Sequence, residues 1–265
     1  MAILDFPAQR WLDALGWTPA DVPDILILEG TWWHQAARTA RLARLQDVRE
    51  TAFPDIFVGR AGRARVAYAC AYGAARAAEV AHVCAQAGTP LVVQIGTCGA
   101  LRPGIPTGTV AVPRSAIARD GVTATYGGGP VVALDAGWGD HAAAALAARA
   151  IAVTRGPHLT WTTLFAQSDA LCARWADEGI DTVDMETAAV AAVAGRFGAA
   201  TVALLAAWDI LGEGRTFLDP VSPAEADALA HANAATFAVA LDLAAAVVAG
   251  VGDDVGRSTI SGRRR

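Results

Sequence analysis

Two kinds of apolar segment alternate along the chain. Short continuous runs, DILILEG at 24–30, RVAYACAYG at 65–73, PLVVQIG at 90–96 and ATVALLAAWD at 200–209, read as strands buried on both faces. Ala-rich stretches between them read as helices: 74–88 closing on Gly88, 138–150, about 168–178, 184–198, and 222–250 opened by Ser222-Pro223. The segment GTVAVPRSAIARDG at 108–121 predicts one more strand with an irregular middle, and 150–164 leads out of a helix toward Thr163. This alternation predicts a layered α/β fold around a largely parallel sheet. Such sheets bind ligands at the carboxyl ends of their strands, which directs attention to Gly30, Gly73, Gly96, Thr163 and Asp209.

Composition narrows the class. With 265 residues, 54% hydrophobic and 18% charged, the chain suits one large α/β domain or two small ones and is too apolar to be disordered. Its apolar runs are broken by Gly, Pro or charge before the roughly 18–20 residues of a membrane span, so no membrane partner is expected. The first residues, MAILDFPAQRW, hold no basic segment followed by an apolar core, so no signal peptide is expected. Cys70, Cys84, Cys98 and Cys172 show no CxxC spacing; neither zinc nor a disulfide framework is expected, and a reducing cytoplasm fits. A net charge of −5 offers no general attraction for nucleic acid. The stretch 252–265, ending in GRRR, reads as a disordered basic tail after a folded region 1–251.

Candidate chemistry gathers at the strand ends. DMET at 184–187 puts Asp184, Met185 and Glu186 at the start of a helix of small apolar residues. A carboxylate there can cap the helix; alternatively Glu186 accepts hydrogen bonds from two neighbouring hydroxyls, as on a ribose, with Met185 against the sugar. Asp209 ends a buried strand, where desolvation would raise its pKa and suit it to donate a proton near neutrality; equally, it opens the turn before ILGEG. Phe165 can stack on a flat heterocycle or simply join the core. GTCG at 96–99 and CAYGAA at 70–75 are short glycine turns whose N–H groups, with the Thr97 hydroxyl, can hold an anion. Neither is a P-loop, since no GK[ST] follows and no GxGxxG opens a helix. Gln94 is the single polar side chain in the run before GTCG. Cys98 has no identifiable His or Asp partner, and His141, His158 and His231 carry no metal spacing and no assigned role.

In order, the strand ending on Gly30, the strand and small turn at 65–75, QIGTCGAL at 94–101, VDMETAA at 183–189 and the strand ending on Asp209 resemble the nucleoside phosphorylase/nucleosidase superfamily, which contains purine nucleoside phosphorylase and uridine phosphorylase. The resemblance covers roughly residues 22–248. It implies a single α/β/α domain with a central mixed, partly barrel-like sheet, assembled as a dimer or a trimer of dimers, with no metal or other cofactor. It implies cleavage of the N-glycosidic bond of a small-molecule nucleoside, with phosphate or water attacking the anomeric carbon of an oxocarbenium-like sugar. By position, Met185 and Glu186 resemble the ribose-binding pair, with Thr163 and Asp184 beside them among the substrate residues. Asp209 resembles the acid that protonates N7 in purine-cleaving members, and Phe165 the aromatic residue that packs on the base. Gly30, Gly73, Thr97 and Arg49 resemble the phosphate contacts, Arg49 reaching a neighbouring subunit's site.

Four departures bear on that pocket. The N-terminal loop is usually Gly-Asp-Pro followed by an arginine, and here it is EGTWWH, with Thr31, Trp32 and His34 at those places. Gln94 stands where an arginine is usual; it donates a neutral amide hydrogen bond and cannot balance phosphate charge. The small turn is AYGAA rather than glycine-rich, and no histidine lies in the first thirty residues to reach a 5′-hydroxyl. The resemblance implies phosphorolysis of a purine-type nucleoside, with inorganic phosphate as co-substrate, while the missing 5′-contact and the bulky Trp32 and Trp33 suggest a substrate altered at its 5′ position. A phosphate-independent hydrolase is the alternative, and a non-catalytic nucleoside-binding or storage relative the second.

Overall fold

The computed structural model describes residues 2–250; the expected basic tail at 252–265 lies outside the described residues. A short helix α1 (Ala8–Leu15) precedes β1 (Ile25–Gly30), α2 (His34–Leu42), β2 (Gln46–Glu50), β3 (Phe57–Ala61), β4 (Ala64–Cys70) and α3 (Ala74–Ala87). Then come β5 (Leu91–Ala100), β6 (Val110–Ala111), β7 (Ser115–Arg119), β8 (Val131–Ala133), α4 (Ala136–Ala147), β9 (Val153–Thr154) and β10 (His158–Trp161). The order ends with α5 (Asp169–Asp177), β11 (Thr182–Asp184), α6 (Thr187–Arg196), β12 (Ala200–Asp209) and α7 (Pro223–Val248).

Among the described residues the strands form one mixed sheet. Its centre is parallel: β4 pairs β1, β1 pairs β5, and β5 pairs β12. These are the continuous apolar runs, and the reason is visible in how they pack. Ile25 and Ile27 join a core with Trp138 of α4 and Phe237 of α7, while Leu26 and Leu28 join one with α1, α3 and α6. A strand covered on both faces needs apolar residues at every position, each fully buried one contributing about 1.5–3 kcal/mol. Antiparallel pairs form the margins, β2–β3–β4 on one side and β7–β8 on the other, so the sheet is more mixed than its apolar centre implies.

The sheet branches at β5. This strand was expected to end at Gly96, with GTCG as a turn; instead it runs on to Ala100. Through Gly96 it pairs β1, and beyond it the same strand takes up β11 while β12 follows it to Gly99. Gly96 makes the exchange possible. It lies opposite Gly30 at φ +154°, and a Cβ there would stand 2.6 Å from the Gly30 carbonyl oxygen. Only a residue without a side chain lets the two backbones approach so closely.

α7 is long and apolar enough to cross a membrane by length and composition, which the broken apolar runs did not foretell. Here its Phe237, Val239 and Leu243 lie in the core against the central strands.

Candidate functional site

The carboxyl end of β1, the continuation of β5, the β11–α6 junction and the end of β12 enclose a cleft of about 500 Å³. Gly30, Thr97, Phe165, Asp184, Met185, Glu186 and Asp209 line it, so these widely separated sequence candidates do converge.

At the β11–α6 junction the two carboxylates divide the two roles weighed for this segment. Asp184 caps the helix: its Oδ2 accepts from the Thr187 backbone N–H at 2.9 Å and from the Thr187 hydroxyl at 2.6 Å. Thr160 donates to Asp184 Oδ1 at 2.8 Å, and His158 Nε2 lies 3.0 Å from the same oxygen. Burial alone would raise the Asp184 pKa, but His158 and these hydroxyls outweigh it and the net shift is downward. With its oxygens occupied by protein donors, Asp184 holds the helix start rather than a ligand. Glu186, by contrast, makes no capping bond. Its Oε1 accepts from the Gly73 N–H at 2.6 Å, and its Oε2 would be 2.9 Å from a Cβ placed on Gly30. Burial and then the neighbouring Asp184 charge push its pKa well up. Glycine at 30 thus leaves room for a buried carboxyl directed to the cleft.

Asp209 is placed by a β-bulge. Ala207 pairs Cys98, yet Asp209 pairs the very next residue, Gly99, so Trp208 is the extra residue. In a regular strand Trp208 and Asp209 would point to opposite faces; with the bulge both line the cleft. Asp209 Oδ1 is buried with no hydrogen-bond partner among the described residues. Burial pushes its pKa up to about 6, partly offset by the Phe217 N–H.

Five candidates fall outside the cleft wall. Gln94, expected at the phosphate wall, is buried behind it, and its Nε2 donates to Asp184 Oδ2 at 2.9 Å. At that depth its amide completes the bonding of Asp184. His34 is exposed at the first turn of α2, with Nδ1 3.3 Å from the Trp32 carbonyl oxygen. Arg49 lies on the exposed strand β2, 3.9 Å from Asp21. Thr163 is exposed before a short 3₁₀ turn, and Gly73 acts from behind through its N–H. Conversely, His158, given no role from sequence, is fully buried against Asp184, with its Nδ1 2.8 Å from the Thr182 hydroxyl.

The remaining wall is aromatic. Tyr72, Trp208 and Phe217 join Trp32, Trp33 and Phe165 there. Among the described residues no arginine or histidine lines the cleft, and the chain contains no lysine, so the ionisable wall residues described are Asp184, Glu186, Asp209 and the Tyr72 phenol, with Cys98 a buried thiol. A family model described as the phosphorylase superfamily matches residues 32–251. The chain belongs to that superfamily.

Solved structures place the fold in the same group. A uridine phosphorylase from Vibrio fischeri ES114 superposes with a TM-score of 0.72 at 18% identity, covering 84% of this chain and 92% of that one. The same enzyme complexed with 6-hydroxy-1-naphthoic acid gives 0.72 at 17% identity, over 86% and 93%. A 5′-methylthioadenosine/S-adenosyl homocysteine nucleosidase from Campylobacter jejuni gives 0.68 at 19% identity, over 83% and 98%. No curated protein matches the chain at a significant level.

Proposed function

We propose that the protein hydrolyses the N-glycosidic bond of a purine-type nucleoside, with water rather than phosphate as nucleophile. The observation that carries this reading is the cleft's composition: a raised carboxyl at each of two sites, Glu186 and Asp209, and, among the described residues, no arginine or histidine in the wall. The sequence reading puts phosphorolysis first and hydrolysis second; the make-up of the cleft supports hydrolysis. Phosphate is held by charge-assisted, often bidentate contacts, and here Gln94 serves Asp184 while His34 and Arg49 stand outside. A dianion brought beside the depressed Asp184 carboxylate would meet repulsion, with no arginine or histidine lining the wall among the described residues to offset it.

In this reading Glu186 and Met185 hold the sugar, and the Glu186 carboxyl, largely protonated near neutrality, offers one donor and one acceptor to its two hydroxyls. The C1′–N9 bond breaks with its electron pair passing to the base, and the Asp209 proton goes to N7. Water adds to the anomeric carbon and gives up a proton, which restores Asp209; the products are free base and free sugar. An acid with a pKa of about 6 sits near the operating pH, where proton transfer is most effective. Pyrimidines offer no N7, so Asp209 favours purines.

A second reading, phosphorolysis, draws on the exposure of Arg49, half exposed and only loosely paired, which a neighbouring copy's cleft can receive. A cytoplasmic homo-oligomer is part of either reading. The test is base release from a panel of purine and pyrimidine nucleosides in phosphate-free buffer, followed by chromatography. Purine release supports the proposal. Release from pyrimidines alone, or from no nucleoside despite measurable binding, overturns it.

A further inference from the structure

The chain places its tryptophans in two very different settings. Trp11, Trp17, Trp138 and Trp175 are buried, whereas Trp32 and Trp33 are 53% and 51% exposed at the mouth of the cleft. Each exposed ring anchors its own aromatic group. Trp32 meets Tyr72 and Phe165 edge-on, with ring centroids 5.3 and 5.7 Å away. Trp33 lies against Trp208 at 5.0 Å with the planes 31° apart, and against Phe217 at 6.5 Å. A single base needs one aromatic wall; two groups flank this cleft.

Local stability does not account for them. Trp33 occupies the N-cap of α2 with no side-chain capping bond, where Ser, Thr, Asp or Asn would stabilise the helix. The loop is nevertheless held firmly. Arg41 of α2 makes paired hydrogen bonds to the buried Glu29 at 3.1 and 3.0 Å and a third to Asn233 Oδ1 at 2.6 Å. Glu29 directly precedes Gly30, so the same ion pair fixes both ends of the Thr31–Trp33 loop. The rings are thus presented to solvent by a rigid support, an arrangement that favours binding flat groups at low entropic cost. With carboxyls and, among the described residues, no arginine or histidine in the wall, the site favours a group without negative charge.

We propose that Trp32 and Trp33 form a subsite for a second flat, uncharged group on the substrate, an aryl or similarly planar substituent carried on the base or on the sugar. This deepens the nucleoside reading and rests on it. The test compares adenosine derivatives in matched pairs: N6-benzyl against N6-methyl, and 5′-phenylthio against 5′-methylthio. Dissociation constants by calorimetry are the primary readout, because they need no turnover, and base release is followed in parallel. In one of the two pairs the aryl member should bind at least tenfold more tightly. Trp32→Ala or Trp33→Ala should reduce that ratio below threefold, and Trp33→Phe should keep most of it while controlling for folding. A ratio near one in both pairs, or one that survives both alanine variants, overturns the proposal. So does a change in sedimentation on either substitution with the ratio intact, which would show that a second copy covers these rings. Failure of base release with the aryl preference intact would instead count against the catalytic reading alone.

Discussion

Replacing Asp209 with asparagine should make the protein more stable and nearly inactive, with the gain confined to one side of a pH boundary. The pKa of its carboxyl is raised from 3.8 to about 6, chiefly by burial, and Oδ1 has no partner among the described residues. A folded pKa above the unfolded one means that the folded state holds the proton more tightly. That contribution is complete below about pH 4 and is lost as the pH rises through about 6, by up to about 3 kcal/mol. Asparagine is nearly isosteric, never ionises and escapes the loss. Asp209→Asn should therefore match the parent near pH 4 and exceed it by about 2–3 kcal/mol at pH 7.5. Purine release should meanwhile fall by about 10²–10⁴, the usual worth of a positioned acid. In the parent, kcat/KM for purine nucleosides should drop tenfold per pH unit above about 6, and the variant should lack that limb. Urea unfolding at the two pH values, followed by tryptophan fluorescence alongside base release, measures all of this. An equal stability difference at both pH values, or unchanged release, would refute the reasoning.

Three further substitutions probe the support of the site. Glu186→Gln keeps the shape and removes the acid; kcat/KM for ribonucleosides should fall by about a hundredfold, with a much smaller change for a 2′,3′-dideoxynucleoside, because Glu186 acts on the hydroxyls. Gln94→Ala takes one donor from buried Asp184 and should cost about 1–3 kcal/mol in urea unfolding, with no effect on any phosphate dependence of the rate. Gly96→Ala sets a methyl 2.6 Å from the Gly30 carbonyl oxygen at φ +154° and should cost more than about 2 kcal/mol, read as a lowered thermal midpoint.

The central strands were legible because each is covered on both faces, which writes an uninterrupted apolar run. α3, α5, α6 and α7 were legible from helical spacing and from caps such as Ser222 and Gly88. What stayed hidden has the opposite character. α2 buries only Arg41, and β2 is exposed throughout, so neither writes an apolar period. GTCG looked like a turn because glycine usually ends strands, whereas Gly96 serves a close backbone crossing inside one. In the site, Glu186 and Asp209 were visible as isolated acids at strand ends, but the burial of Gln94 depended on depth, which spacing does not encode. Trp208 was missed because strand alternation sends it away from Asp209, and only the bulge brings it back. His158 has no legible partner along the chain, since Asp184 is contributed by the neighbouring strand β11.

The most direct test of the account is the phosphate dependence of purine release. Among the described residues the cleft wall holds no arginine or histidine to bind a phosphate dianion. Release should therefore proceed at the same rate in phosphate-free and phosphate-saturated buffer, yielding free sugar in both. Release that occurs only with phosphate, with sugar 1-phosphate as the product, would contradict it.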